Sequence, residues 1–208
     1  MLRVADLKRN TAVAENPQGN FRACPPPCAN GSAVADIHQS MTMGLAHYHP
    51  MNAHFAFYAT GYAWRSVVTT GLVLAWDVRN DTAAERRTLA LAVAETQRLR
   101  RYTVAGDVWW LTPQTLDPTR WAAWQHHVPR VGGAAVFFRR HGAAAASMAA
   151  GLRGLAAGAC YSVQLWDEHY ALALNATMAA AALREHAVAL PAPATSALLE
   201  YRAVRGGC

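Results

Sequence analysis

Residues 66–76 read SVVTTGLVLAW, and Asp77 follows directly. The run is short, β-branched and almost continuously apolar. Such a run suits a strand covered on both faces, as in a parallel sheet under helices. A helix start comes next. Thr82 and Glu85 match the S/T-x-x-E capping box, in which a hydroxyl and a carboxylate satisfy free backbone N–H groups of the first turn. Leu89, Ala92, Val93, Thr96 and Leu99 recur at helical spacing and predict one apolar face. Arg87, Arg98 and Arg101 fall on the other face, where they are expected to be solvated. One strand–helix unit cannot close a sheet. The stretch therefore reads as the closing unit of a larger α/β body.

Upstream, residues 1–35 read as an irregular lead-in, because NPQGN, CPPPC and NGS crowd turn signals together. Residues 36–64 are rich in His, Met and aromatics and are interrupted by Gly44, Pro50 and Gly61. They read as a loop-rich wall. Downstream of 105 the pattern changes to short apolar runs: DVWWLT, RWAAWQHHV, AAVFFRR, ASMAAGLRGL, ACYSVQLWD, HAVAL and SALLEYRAV. Pro113, Pro118, Gly132-Gly133, Gly158 and Pro191 punctuate them. Short strands with such turn chemistry predict an antiparallel β-sandwich over 105–208.

The 208 residues are 53% hydrophobic and 15% charged, which rules out wholesale disorder. The net charge of +6 is spread in arginine pairs without a basic run, so no nucleic-acid partner is expected. No apolar stretch of about 18 residues suggests a membrane helix, and MLRVADLKRN lacks the apolar region of a signal peptide. Cys24 and Cys28 flank three prolines, which hold their ends apart, so a disulfide there would need a bend. All four cysteines, with Cys160 and Cys208, read as plain thiols. N-x-S/T sequons occur at Asn30, Asn80 and Asn175.

No P-loop, G-x-G-x-x-G or G-x-S-x-G motif appears, and no cofactor is expected. His47 and His49 form H-Y-H. On a strand they would share a face, but no third ligand completes a metal site, so they read as polar lining of a cleft or as simple hydrogen-bonded histidines. His126 and His127 are adjacent, which predicts one buried and one exposed ring. Trp109, Trp110, Trp121, Trp124 and Trp166 could stack on sugars; short-strand aromatics more often fill a core. Asp77 lies just past a buried strand's C-terminal end, where barrel enzymes keep their chemistry. The other acidic residues do not supply a nucleophile and acid/base pair.

Six pieces in order carry a resemblance: WRSVVTTGLVLAWDV (64–78), the helix over 83–101, DVWWLTP (107–113), WAAWQHHVPR (121–130), AAVFFRR with GLRGL and ACYSV, and the closing PAPATSALLEYRAV. Residues 38–204 resemble the C-terminal portion of α-galactosidase-like enzymes of glycoside hydrolase family 36 and its relatives. The resemblance implies a (β/α)8 barrel ending in a C-terminal antiparallel β-sandwich: irregular lead-in over 1–35, barrel piece over 36–104, β domain over 105–208. It implies a retaining glycoside hydrolase acting on α-galactoside-type bonds, with a carbohydrate substrate in the parent enzyme. The family's two catalytic aspartates have no match here, so no catalytic residue is assigned. His47, His49, Trp76 and Asp77 are the expected substrate-binding wall. GLAHYHPMN (44–52) departs from the family's aromatic stretch by carrying His47 and His49. The alternative is a non-catalytic carbohydrate-binding or structural β module, which an exposed tryptophan row would favour.

Overall fold

The structure, a computed structural model, describes residues 32–48, 53–56, 60–68, 71–74, 77–204 and Cys208. Most of the expected lead-in lies outside these residues.

The first described element is a helix, α1 (Ser32–Tyr48), where a loop-rich wall was expected. Its periodicity is hidden because its inward face is polar. Asp36, His38, Gln39, Ser40 and Thr42 are buried beside Ala35 and Met43. Gly44 does not break it. A Cβ there would sit 2.5 Å from Gln114 Nε2, whose amide donates to Ser40 O at 2.8 Å.

The run 66–76 is not one strand. Gly61–Arg65 forms a short helix, α2, with Thr60 accepting from Ala63 N–H at 3.1 Å and Ser66 closing it. Val67 and Val68 are buried just beyond. Ala53–Ala56 (β1) and Gly71–Leu74 (β2) then pair in parallel, Ala53 opposite Gly71 and Ala56 opposite Leu74. After Asp77 and a 3-10 turn (Val78–Asn80) comes α3 (Ala83–Thr103). Its capping box forms: Thr82 Oγ1 accepts from Glu85 N–H at 3.2 Å, and Glu85 Oε2 accepts from Thr82 N–H at 2.7 Å. The buried face of α3 carries Ala92, Glu95, Leu99, Tyr102 and Thr103, whereas Val93 is exposed. The face is rotated from the apolar stripe because buried Arg65 requires Glu95 opposite it. Arg98 and Arg101 are not simply solvated either: both reach Glu200.

Eight strands follow: β3 (Asp107–Trp110), β4 (Ala122–Val128), β5 (Gly132–Arg139), β6 (Ser147–Ala149), β7 (Cys160–Trp166), β8 (Leu172–Ala179), β9 (Ala187–Ala189) and β10 (Thr195–Val204), with α4 (Ala180–Glu185) after β8. Six of them build one antiparallel sheet in the order β3-β4-β5-β10-β7-β8. β6 and β9 form a separate antiparallel pair. The residues 150–155, expected to extend a strand, leave it at Gly151 and Gly154, whose φ values of +59° and +73° suit glycine.

The large sheet is a middle layer. On one face, Tyr62, Trp64, Leu99 and Tyr102 from the helices pack on Trp124, Phe138 and Leu198. On the other, Leu152, Leu183 and Val188 pack on Phe137, Val163, Leu199 and Tyr201. Alternate residues of β4 and β5 feed the two cores, so both faces are dry. This explains why His126 and His127 are both buried, at 5% and 3% exposure, rather than one. Cys160 and Cys208 are joined by a disulfide, which corrects their reading as plain thiols. Cys24 and Cys28 lie outside the described residues.

Candidate functional site

Of the four expected wall residues, His47 and Asp77 are among the described ones. His47 is in the last turn of α1, before the chain enters β1. His49 and Trp76 lie outside the described residues. Asp77 follows β2 at the opposite end of the pair from the α1 connection, and it is exposed. Its carboxylate accepts from Arg79 N–H at 3.1 Å and from the Arg79 guanidinium at 2.8 Å through each oxygen. These bonds hold it below the usual carboxylate range.

The polar groups brought together most densely join the helices to the sheet. Arg65 is fully buried. It forms a two-point ion pair with Glu95 of α3 at 2.8 and 2.9 Å and donates to Asp167 O at 2.7 Å and to Ser196 O and Oγ at 3.3 Å. Its guanidinium also lies 4.7 Å from the Tyr170 ring centroid. Beside it, Glu168 accepts from Tyr62 N–H and, at 2.7 Å, from Ser196 N–H and Oγ–H. Burial pushes the Glu168 carboxyl up despite these donors. Gly61 is required at this junction, because a Cβ would lie 2.3 Å from Glu168 O.

A second cluster centres on Asp36. Its carboxylate accepts from Tyr62 Oη and lies 2.6 Å from His141 Nδ1. Burial raises its pKa. Arg140, fully buried, donates to Gln39 Oε1 at 2.9 Å, Ser40 Oγ at 3.0 Å and Thr115 O at 2.7 Å. A third cluster holds Glu200 among Arg98, Arg101, Arg202 and Tyr102. Sequence reading found none of these clusters. Arg65 and Glu200 stand singly in apolar strings, and an isolated charge inside such a string was the available signal; Arg140, in the pair Arg139-Arg140, gave none.

Every buried carboxylate named here is bound to a structural partner. Among the described residues no group of three or more His, Cys, Asp or Glu could hold a metal. Trp64, Trp121 and Trp124 are buried and Trp109, Trp110 and Trp166 half-buried; all but Trp109 pack in the two cores, and the described tryptophans present no exposed row. One surface cavity of about 620 Å³ opens beside Trp121, Asp117 and Met148. Asp77 does not line it.

Fold and site thus define an antiparallel sheet body to which three helices are fastened by buried hydrogen bonds and ion pairs, with a short parallel strand pair in the same chain. Solved structures of this kind exist. The galactosidase domain of the α-galactosidase–sucrose kinase AgaSK matches with a TM-score of 0.66 and 14% identity, over 82% of this chain and 25% of that one. The GH36 α-galactosidase AgaB from Geobacillus stearothermophilus matches with a TM-score of 0.61 and 19% identity, over 82% and 24%. A double variant of AgaA from the same organism, in complex with raffinose, matches with a TM-score of 0.63 and 18% identity, over 82% and 24%. At these identities the likeness is one of fold. The chain spans about a quarter of those structures, which fits a C-terminal portion of such a protein. No protein-family model and no curated protein matches the sequence.

Proposed function

We propose that this chain is the C-terminal part of a retaining glycoside hydrolase acting on α-galactoside-type bonds. Residues 36–104 close its (β/α)8 barrel and residues 105–208 form the supporting β domain. The carrying observation is the order of parts. A parallel strand pair leads through Asp77 and a capped helix into a large antiparallel sheet, in a fold shared with GH36 α-galactosidases over 82% of the chain. Asp77, past the C-terminal end of β2, stands where the sugar cleft of such a barrel opens, and Trp76 goes with it in this reading; His47 precedes β1, so the His47 and His49 part of the expected wall is the weaker part.

Retaining hydrolysis needs two carboxyl groups about 5–5.5 Å apart, one as nucleophile and one as acid and base. The described buried carboxylates cannot take those roles. Glu95 is held by Arg65, Glu168 by three donors, Glu200 by three arginines and Asp36 by Tyr62 and His141. In this reading the nucleophile and the acid/base come from elsewhere in the barrel.

The test is hydrolysis of 4-nitrophenyl α-galactoside by this chain and by the longer in-frame product of its gene. The chain alone should release no nitrophenol above buffer, and the longer product should release it with retained anomeric configuration. Release by the chain alone would overturn the non-catalytic assignment. A longer product inert on α-galactosides would overturn the substrate class.

A further inference from the structure

β8 is the last strand of the six-stranded sheet, and beyond its ladder with β7 no backbone hydrogen bond among the described residues reaches its outer edge. Its sequence, LALNATMA, has no charge and no proline, and Leu172, Ala173, Asn175, Thr177 and Ala179 are exposed. The opposite edge, β3, is only four residues long and begins with Asp107. A long, uncharged edge strand offers unpaired N–H and C=O groups to any other chain, and natural sheets block it with charge, proline or cover. β8 has none of these among the described residues. It carries instead Asn175-Ala176-Thr177, an N-x-T acceptor sequence. Asn175 and Thr177 are two apart on the strand, share a face, and make no side-chain hydrogen bond among the described residues.

An independent observation points the same way. Cys160 of β7 is disulfide-bonded to Cys208, and Cys160 lies opposite Ala179 at the end of β8. Disulfides persist in oxidising compartments and are rare in the cytosol. In a eukaryotic cell the oxidising compartment is also where N-x-S/T asparagines are glycosylated. We propose that the chain matures there, that Asn175 bears an N-linked glycan, and that the glycan guards the β8 edge in place of charge. The donor is a lipid-pyrophosphate-linked oligosaccharide. Asn175 Nδ2 bonds to the anomeric carbon, the bond from that carbon to the pyrophosphate oxygen breaks, and Nδ2 loses one proton. A bulky, hydrated group on this face keeps another chain from laying a strand along the edge. Asn80 heads a second exposed sequon, but it lies in a turn with no sheet edge to protect.

The test uses the protein purified from its source cells. Peptides are released by protease, treated with peptide N-glycanase in heavy-oxygen water, and sequenced by mass spectrometry. Asn175 should be recovered as aspartate carrying heavy oxygen, and Cys160 and Cys208 should resist maleimide until reduced. In the same host, Thr177→Ala should lose the glycan and Thr177→Ser should keep it. Sedimentation should shift toward oligomers for Thr177→Ala and not for Thr177→Ser. Unmodified Asn175 beside an oxidised Cys160–Cys208 pair would overturn the proposal, as would free thiols at both cysteines. A glycan whose loss leaves sedimentation unchanged would overturn its guarding role.

Discussion

His126 has two ring nitrogens, and neither has a hydrogen-bond partner among the described residues. It lies on the helix-facing side of β4, and burial pushes its pKa down to about 4 from 6.5. The unfolded chain takes up a proton near pH 6.5 while the folded chain resists until about pH 4. The fold is therefore at its firmest above pH 6.5 with respect to this group and loses about 3 kcal/mol as pH falls from 6.5 to 4. His126→Leu should be more stable at pH 7 by about 1 to 3 kcal/mol, because no orphaned polar atoms remain. It should also show a shallower loss between pH 6.5 and 4. Denaturant titrations of both proteins across that range measure the difference. The comparison isolates His126 from Asp36 and Glu168, whose raised carboxyls act in the opposite sense. An unchanged slope would sink the assignment. At Arg65 the opposite logic holds, since its charge is matched. Arg65→Met strands Glu95 in a dry interior and should cost about 3 to 5 kcal/mol. Pairing it with Glu95→Leu should recover much of that loss in a double-mutant cycle; additive losses would contradict the coupling. Residue-scale reading of the sequence failed here for a physical reason. A helical stripe ranks Val93 above Glu95 by hydropathy, whereas the site ranks Glu95 higher because Arg65 waits opposite.

Elements differ in how much of their cause is local. α3 is announced by its own residues, Thr82 and Glu85, and the structure forms the box they spell. Thr82→Ala should cost about 1 kcal/mol in thermal or denaturant unfolding. β3, β4, β5, β7, β9 and β10 are likewise legible, as apolar runs between Gly and Pro. α1 and β8 are not. The buried face of α1 is polar, and its partners, Arg140, Ser66 and Tyr62, lie between 24 and 104 residues away. β8 is an edge strand with one face exposed and the other, Leu174, Ala176 and Met178, only half-buried, so the core imposes no more than a weak alternation on LALNATMA. The disulfide is equally non-local. It closes a span of 48 residues and ties the end of the chain to β7. By chain entropy, such a loop is worth about 4 kcal/mol. Reduction with dithiothreitol, or Cys208→Ser, should lower the denaturant midpoint correspondingly. An unchanged midpoint would mean that this crosslink does not constrain the unfolded chain.

At the scale of the molecule, the helices and the sheet share one interior. Tyr62 and Trp64 enter the same cluster as Trp124, Phe138 and Leu198. Arg65 reaches from α2 to β10, Arg140 from just past β5 to α1, and Arg98 and Arg101 from α3 to Glu200. Cutting the chain near 104 would expose that apolar face, take Arg98, Arg101 and Tyr102 away from Glu200 and leave it Arg202, and take Gln39 and Ser40 away from Arg140 and leave it Thr115 O and Asp117 O. Losing one side of a shared core is a large fraction of the about 5–15 kcal/mol total stability of a typical domain. Residues 105–208 expressed alone should therefore lack a cooperative unfolding transition. Residues 32–208 should unfold in one step by both tryptophan fluorescence and far-UV circular dichroism. The parallel pair β1–β2 stands apart, because two four-residue strands form too small a sheet to be stable without further neighbours. Its amides should exchange fastest among the strands, and they should slow in the longer product if further barrel strands flank them. Equal protection of β1–β2 and β10 in the isolated chain would mean that the pair is complete as it is, and would count against a barrel.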